Sequence, residues 1–187
     1  MKALIERYQS RLSEQVAALN VDAISQLGDA LLACIASNKQ VFICGNGGSA
    51  GNAVHLANDF LYGICPSGER ALKVEALSAN TSVLTCLGND LGYDKIFSHQ
   101  LVVKASAGDV LIVLSGSGNS PNIVNALEVA KEIGMTSFAL LGYSGGKALT
   151  LADCAIHNAV DDMQVAEDLQ LIVGHMLMQY LHEELAK

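Results

Sequence analysis

Residues 109–121 read Asp-Val-Leu-Ile-Val-Leu-Ser-Gly-Ser-Gly-Asn-Ser-Pro. After Asp109 come five apolar residues without alternation, three of them β-branched, which predicts a strand buried on both faces. The serines and glycines that follow predict a turn. Pro121 suits the first position of a helix, and that helix is expected to run to about Ile133. Strand, glycine turn and helix form the unit of an α/β fold with a parallel sheet covered on both sides. The same unit stands upstream at Gln40–Ser49 (QVFICGNGGS), with a helix from Ser49 to Tyr62.

Outward from these two units the pattern continues. Leu72–Leu77, Thr136–Leu141 and Cys154–Asn158 are strand-like, while Thr81–Leu87 and Tyr93–Gln100 read as short helices. Leu4, Tyr8, Leu12, Val16 and Leu19 recur at helical spacing, and a second helix covers about Asp22–Ser37 with Ile24, Leu27, Leu31 and Ile35 on one side. Asp162–Glu184 is a long helix, apolar on more than one side, which predicts burial, in part by other subunits. The expectation is a single domain over 1–187, with an N-terminal helical arm over 1–37 and an α/β core over 38–187.

Composition narrows the function classes. Of 187 residues, 51% are hydrophobic and 16% charged, which excludes a mainly disordered chain. The net charge is −8 and the eleven Lys and Arg are scattered, so direct nucleic-acid binding is not expected. A phosphate ligand remains compatible, because backbone amides and hydroxyls hold anions without net positive charge. Cysteines 34, 44, 65, 86 and 154 are odd in number and form no C-x-x-C pair. They read as reduced thiols in apolar core runs rather than as a zinc site. The N-terminus, MKALIERYQSRLSEQ, has no continuous apolar segment, and no stretch reaches 18 apolar residues. A cytoplasmic protein without a membrane partner is the expectation.

Two loops carry the chemistry. Gly45-Asn46-Gly47-Gly48-Ser49 and Ser115-Gly116-Ser117-Gly118-Asn119-Ser120 each follow a buried strand and open a helix. In a parallel sheet both fall at the carboxyl edge, where ligands bind. Glycines allow close backbone approach, helix N-termini offer free amides, and Ser49, Ser115, Ser117 and Ser120 add hydroxyls. Together they describe an anion cradle, most simply for a phosphate monoester. For either loop alone, plain turn chemistry with N-caps is the alternative. Neither loop fits the common nucleotide motifs.

The titratable groups follow. His55 and Asp59 are i, i+4 on the helix opened by the first loop. Glu167 and His175 lie eight apart on the last helix, and Gly174 beside His175 leaves room for close packing. Two imidazoles and two carboxylates can bind a divalent metal such as zinc, or act as acid and base; surface ion pairing is the plain alternative. Asp90 alone reads as a turn residue, and His99, His157 and His182 suggest no role.

The two loops, together with HLAND (55–59), LTCLGNDLGYDKIF (84–97) and the closing helix, resemble the sugar isomerase (SIS) domain family, and within it the phosphoheptose isomerase branch. The resemblance covers almost the whole chain. It implies a flavodoxin-like three-layer sandwich with a parallel sheet, two N-terminal helices and a long C-terminal helix. It also implies a homotetramer with active sites shared between subunits. It implies further that Asn46, Gly47, Ser49, Ser115, Gly116, Ser117 and Ser120 hold the substrate phosphate. His55, Asp59, Glu167 and His175 fall where the family places zinc ligands. Asp59 and His175 would move the protons, and Asp90 falls on an active-site aspartate.

The chain departs from the family at several points. Asp59 replaces a longer Glu, Glu167 replaces Gln, Gly116 replaces Thr, and Gly63 stands where an arginine is usual. The implied activity is aldose–ketose isomerisation of a phosphosugar, most simply sedoheptulose 7-phosphate, or another sugar of a cell-surface polysaccharide pathway. The alternative is a non-catalytic SIS-domain scaffold or sugar-phosphate sensor that binds a protein such as a replication initiator. Retention of the metal-type residues speaks against it.

Overall fold

The computed structural model describes residues 1–187. The helices are α1 Lys2–Ala17, α2 Val21–Ser37, α3 Gly48–Asn58, α4 Thr81–Asp90, α5 Ser98–Lys104, α6 Pro121–Ile133, α7 Ala148–Leu151 and α8 Met163–Leu185. The strands are β1 Gln40–Gly45, β2 Lys73–Ala76, β3 Val110–Ser115, β4 Thr136–Leu141 and β5 Cys154–His157. All five are parallel, in the order β2-β1-β3-β4-β5. From β1 the chain moves to one edge, and from β3 to the other, so the winding reverses between β1 and β3.

Strand side chains alternate between two cores. Val41, Ile43, Ile112, Leu114 and Leu140 pack with α2, α3 and α8, whereas Phe42, Cys44, Leu111, Val113 and Ala139 pack with α5 and α6. Both faces are apolar, which is why these strands carry no polar alternation. The result is the expected three-layer α/β sandwich with flavodoxin-like strand order. No single helix is long and apolar enough to cross a membrane.

The two N-terminal helices differ in role. Asn20 caps α2 by accepting the Ala23 N–H, and α2 buries Ala23, Leu27, Leu31 and Cys34 against the sheet. By contrast, α1 has no buried residue. It is tied to the start of α8, where the Tyr8 hydroxyl donates to Asp168 and Arg11 pairs with Asp162. Donation to Asp168 pushes the Tyr8 phenol up to about 12.

Two expectations are corrected, and one further element appears. Tyr93–Gln100 is not one helix but a 3-10 turn, Tyr93–Lys95, followed by α5. The short helix α7, inside the glycine-rich stretch after β4, gave no periodic signal. Cys86 is exposed in the isolated chain, because its run forms the amphipathic α4, which has no buried residue. Cys34 and Cys44 are buried as expected.

Burial pushes the Cys34 thiol up to about 11 and the Cys44 thiol further up. The Ser67 hydroxyl and backbone N–H groups of the same loop pull the Cys65 thiol down. A lowered thiol pKa raises the thiolate fraction at neutral pH, and the thiolate is the nucleophile. Iodoacetamide followed by mass mapping should therefore label Cys65 fastest, with a rate that levels off at lower pH than for an ordinary cysteine. Cys34 and Cys44 should react only in denaturant.

Candidate active site

The reversal of winding places the two glycine loops side by side. β1 and β3 are register neighbours through Gly45 opposite Leu114, so both loops leave the same edge of the sheet together. They form one cleft of about 270 Å³, lined by residues 46–49, 114–117 and 120 with Met163 and Glu167 of α8. No lysine, arginine or histidine lines it. A larger cavity of about 430 Å³ lies between the α1–α2 turn and α8. It is apolar, with Asp29 its only charged group, and has no converging polar set.

The expected cradle residues divide by what their side chains already do. Ser49 is buried, and its Oγ accepts from Gln170 Nε2 at 3.1 Å. Gln170 in turn accepts from Asn52, which fixes the first turn of α3 against α8. Ser115 Oγ accepts the Gly118 N–H at 3.0 Å and Ser117 Oγ accepts the Asn119 N–H at 3.3 Å, so these hydroxyls also shape the loop. Each keeps its own O–H to donate. Ser120 is the N-cap of α6, with Pro121 at the first helical position.

Asn46 is more committed than the sequence suggested. Its amide exchanges two 2.9 Å hydrogen bonds with the Asn122 amide, and Tyr93 Oη donates to the same Asn46 oxygen at 3.0 Å. This reciprocal pair clamps the first loop to α6. Asn122 and Tyr93 were not singled out in the sequence. The asparagine after Ser120-Pro121 is the one signal that could have found the pair.

The metal-type residues converge in part. His55 Nε2 and His175 Nε2 are 2.9 Å apart, and Asp59 Oδ2 lies 3.4 Å from the first and 3.6 Å from the second. The imidazole planes meet at 84°. A triangle with those sides has a point roughly 1.9 Å from all three atoms, close to the Zn–N and Zn–O distances of about 2.0–2.2 Å. The three groups therefore fit a divalent cation with further positions open. Asp59 reaches both imidazoles although it is a methylene shorter than the glutamate of the family. It opens a π-helical turn, Asp59–Gly63, of the kind that often reshapes helices at functional sites.

Glu167 does not join this group. Eight residues separate it from His175, a rise of about 12 Å along α8, and its side chain is turned toward the glycine loops. Its carboxylate lies against Gly48, in the cleft between the two glycine loops. Asp90 is exposed at the end of α4, accepts from Asn89 Nδ2, and has no hydrogen bond or ion pair to the His55 group.

What brings His175 to His55 is the crossing of α3 and α8. A Cβ on Gly174 would overlap the Leu56 side chain. Leu56 adjoins His55 and Gly174 adjoins His175, so this contact sets the spacing of the two imidazoles.

The SIS domain family pattern matches residues 6–142. A phosphoheptose isomerase of Aliarcobacter butzleri is 39% identical over 150 residues, covering 80% of this chain and 79% of that protein. Among solved structures, a phosphoheptose isomerase from Neisseria gonorrhoeae superposes with a TM-score of 0.84 at 30% identity, covering 96% of this chain and 99% of its own. One from Francisella tularensis gives 0.90 at 26% identity, covering 97% of each.

Gly174→Val should force α8 away from α3. Titration with Co2+, followed by its visible absorption, should show affinity reduced by about tenfold or more, with the circular dichroism unchanged. Unaltered affinity would detach the helix crossing from the metal-type group.

Proposed function

The chain belongs to the SIS domain family, in its phosphoheptose isomerase branch, and from that premise we propose that it is a metal-dependent phosphosugar isomerase acting on sedoheptulose 7-phosphate. One observation carries the reading. Two imidazole nitrogens and a carboxylate oxygen converge on one point, in a chain that also lays two hydroxyl-rich helix starts along one sheet edge. The first arrangement suits proton transfer beside a Lewis acid, and the second suits a phosphate monoester.

In this reading the Ser49, Ser115, Ser117 and Ser120 hydroxyls and the amides of Gly47 and Gly116 hold the phosphate and with it the open-chain sugar. His55, Asp59 and His175 hold a divalent cation, zinc by the chemistry of the donors. When bound, the cation polarises the carbonyl oxygen and stabilises the negative charge that develops there. Asp59 removes the proton from C1, and the electron pair of that bond forms the C1=C2 bond of a cis-enediol. His175, through the ring nitrogen left free by the cation, gives a proton to the C2 oxygen. The same nitrogen of His175 then takes the O1 proton, which forms the C1 carbonyl, and Asp59 returns the carbon-bound proton at C2.

Assembly as a homotetramer with shared sites extends the proposal. It is supported by Leu4 and Ile5, which α1 leaves exposed, and by the apolar cavity beside α8 that includes Met176, next to His175. These surfaces are suited to burial by another copy of the chain. The closing helix, apolar on more than one side, points the same way.

Conversion of sedoheptulose 7-phosphate to its aldose should be measured before and after chelation, with metal content determined on protein purified without added metal. Stoichiometric zinc with chelator-sensitive turnover is the expected result. Asp59→Ala should abolish turnover while the elution volume on a sizing column stays unchanged. Turnover like that of the wild type would remove Asp59 from the mechanism. Ser117→Ala should weaken substrate binding by about 1–2 kcal/mol, the scale of a hydrogen bond to a charged group.

A further inference from the structure

Helix α8 covers both loops of the anion cleft, and it does so at a glycine in each. A Cβ on Gly116 would stand 2.6 Å from Met163 Sδ and 3.0 Å from its Cε; one on Gly48 would overlap the Glu167 carboxylate. Met163 and Glu167 are i, i+4 neighbours on α8 and so share one face. The helix thereby lays a thioether on the second loop and a carboxylate on the first.

The carboxylate is unusual in that place. It is the only charged group lining the cleft. It takes part in none of the ion pairs of the chain. The helix that carries it is held at this point, because the Glu167 backbone carbonyl accepts from Asn52 Nδ2 of α3 at 3.0 Å. The start of α3, where Glu167 rests, carries the free amides and partial positive charge that favour an anion. A bound phosphate would occupy the same ground, and two anions a few ångström apart repel in a partly desolvated cleft.

We propose that Glu167 is a specificity-determining residue. Its carboxylate acts as a resident anion at the α3 N-terminus and turns away phosphate that arrives without a sugar. A phosphorylated sugar gains further contacts at the His55–Asp59–His175 group, and those contacts offset the displacement of the carboxylate. Inorganic phosphate reaches only the cleft and has nothing to set against the repulsion. Selectivity thus comes from a built-in repulsive element as well as from attraction. The inference rests on the reading of the cleft as the phosphate site.

The test is calorimetric titration of sodium phosphate at constant pH and ionic strength into the wild type, Glu167→Gln, Glu167→Ala, and each variant combined with Ser117→Ala. Both Glu167 variants should bind inorganic phosphate about tenfold tighter or more, and Ser117→Ala should reverse the gain. A substitution that merely damaged the fold would not tighten an anion. Phosphate binding as weak as in the wild type, with Ser117→Ala still raising the KM for sugar phosphate, would overturn the role of Glu167 and leave the phosphate site standing. Indifference of both phosphate and sugar phosphate to every one of these substitutions would overturn both.

Discussion

The crossing of α3 and α8 is the contact on which the candidate site depends. Helices approach this closely only where one of them lacks a side chain, and Gly174 supplies that position against Leu56. The crossing does two jobs at once. At one level it brings His175 to within hydrogen-bond distance of His55 and places Asp59 between them. Two and three turns earlier along α8 it sets Glu167 and Met163 onto the glycine loops. The metal-type group and the anion cleft are therefore two levels of one helix pair. A displacement of α8 would disturb both.

As the proposed phosphate site, the cleft follows a different logic from most. It has no arginine or lysine, and the chain as a whole carries a net charge of −8. What it offers an anion is direction rather than charge: two helix starts, free amides, and hydroxyls that keep a proton to donate. Such a site would take part of its affinity from the rest of the ligand. The Asn46–Asn122 exchange and the Gln170–Ser49 bond keep the loops in register before any ligand arrives, so little ordering is left to be done on binding.

The layers were legible in the sequence because parallel strands buried on both faces must be apolar throughout, and β1, β3 and β4 are. The loops were legible because glycine and serine at the end of such a strand have few other uses. The 3-10 turn at Tyr93 and the short helix α7 were not, since elements of three and four residues show no period. The apolar run around Cys86 pointed to the core, but the helix it forms buries no residue within the single chain.

Local sequence alone determined the α/β class, the strand–turn–helix units and the pairing of His55 with Asp59, because each is a matter of neighbours along the chain. Helix spacing also put Glu167 and His175 forward, and resemblance to a known family joined all four in one site. Only the tertiary structure decided how those partners divide. His175 joins His55 and Asp59, whereas Glu167, on the same helix, goes to the anion cleft. Periodicity places side chains on a face but cannot say what that face meets at each level. That is decided by where a glycine lets two helices touch, and it lies between residues more than a hundred positions apart.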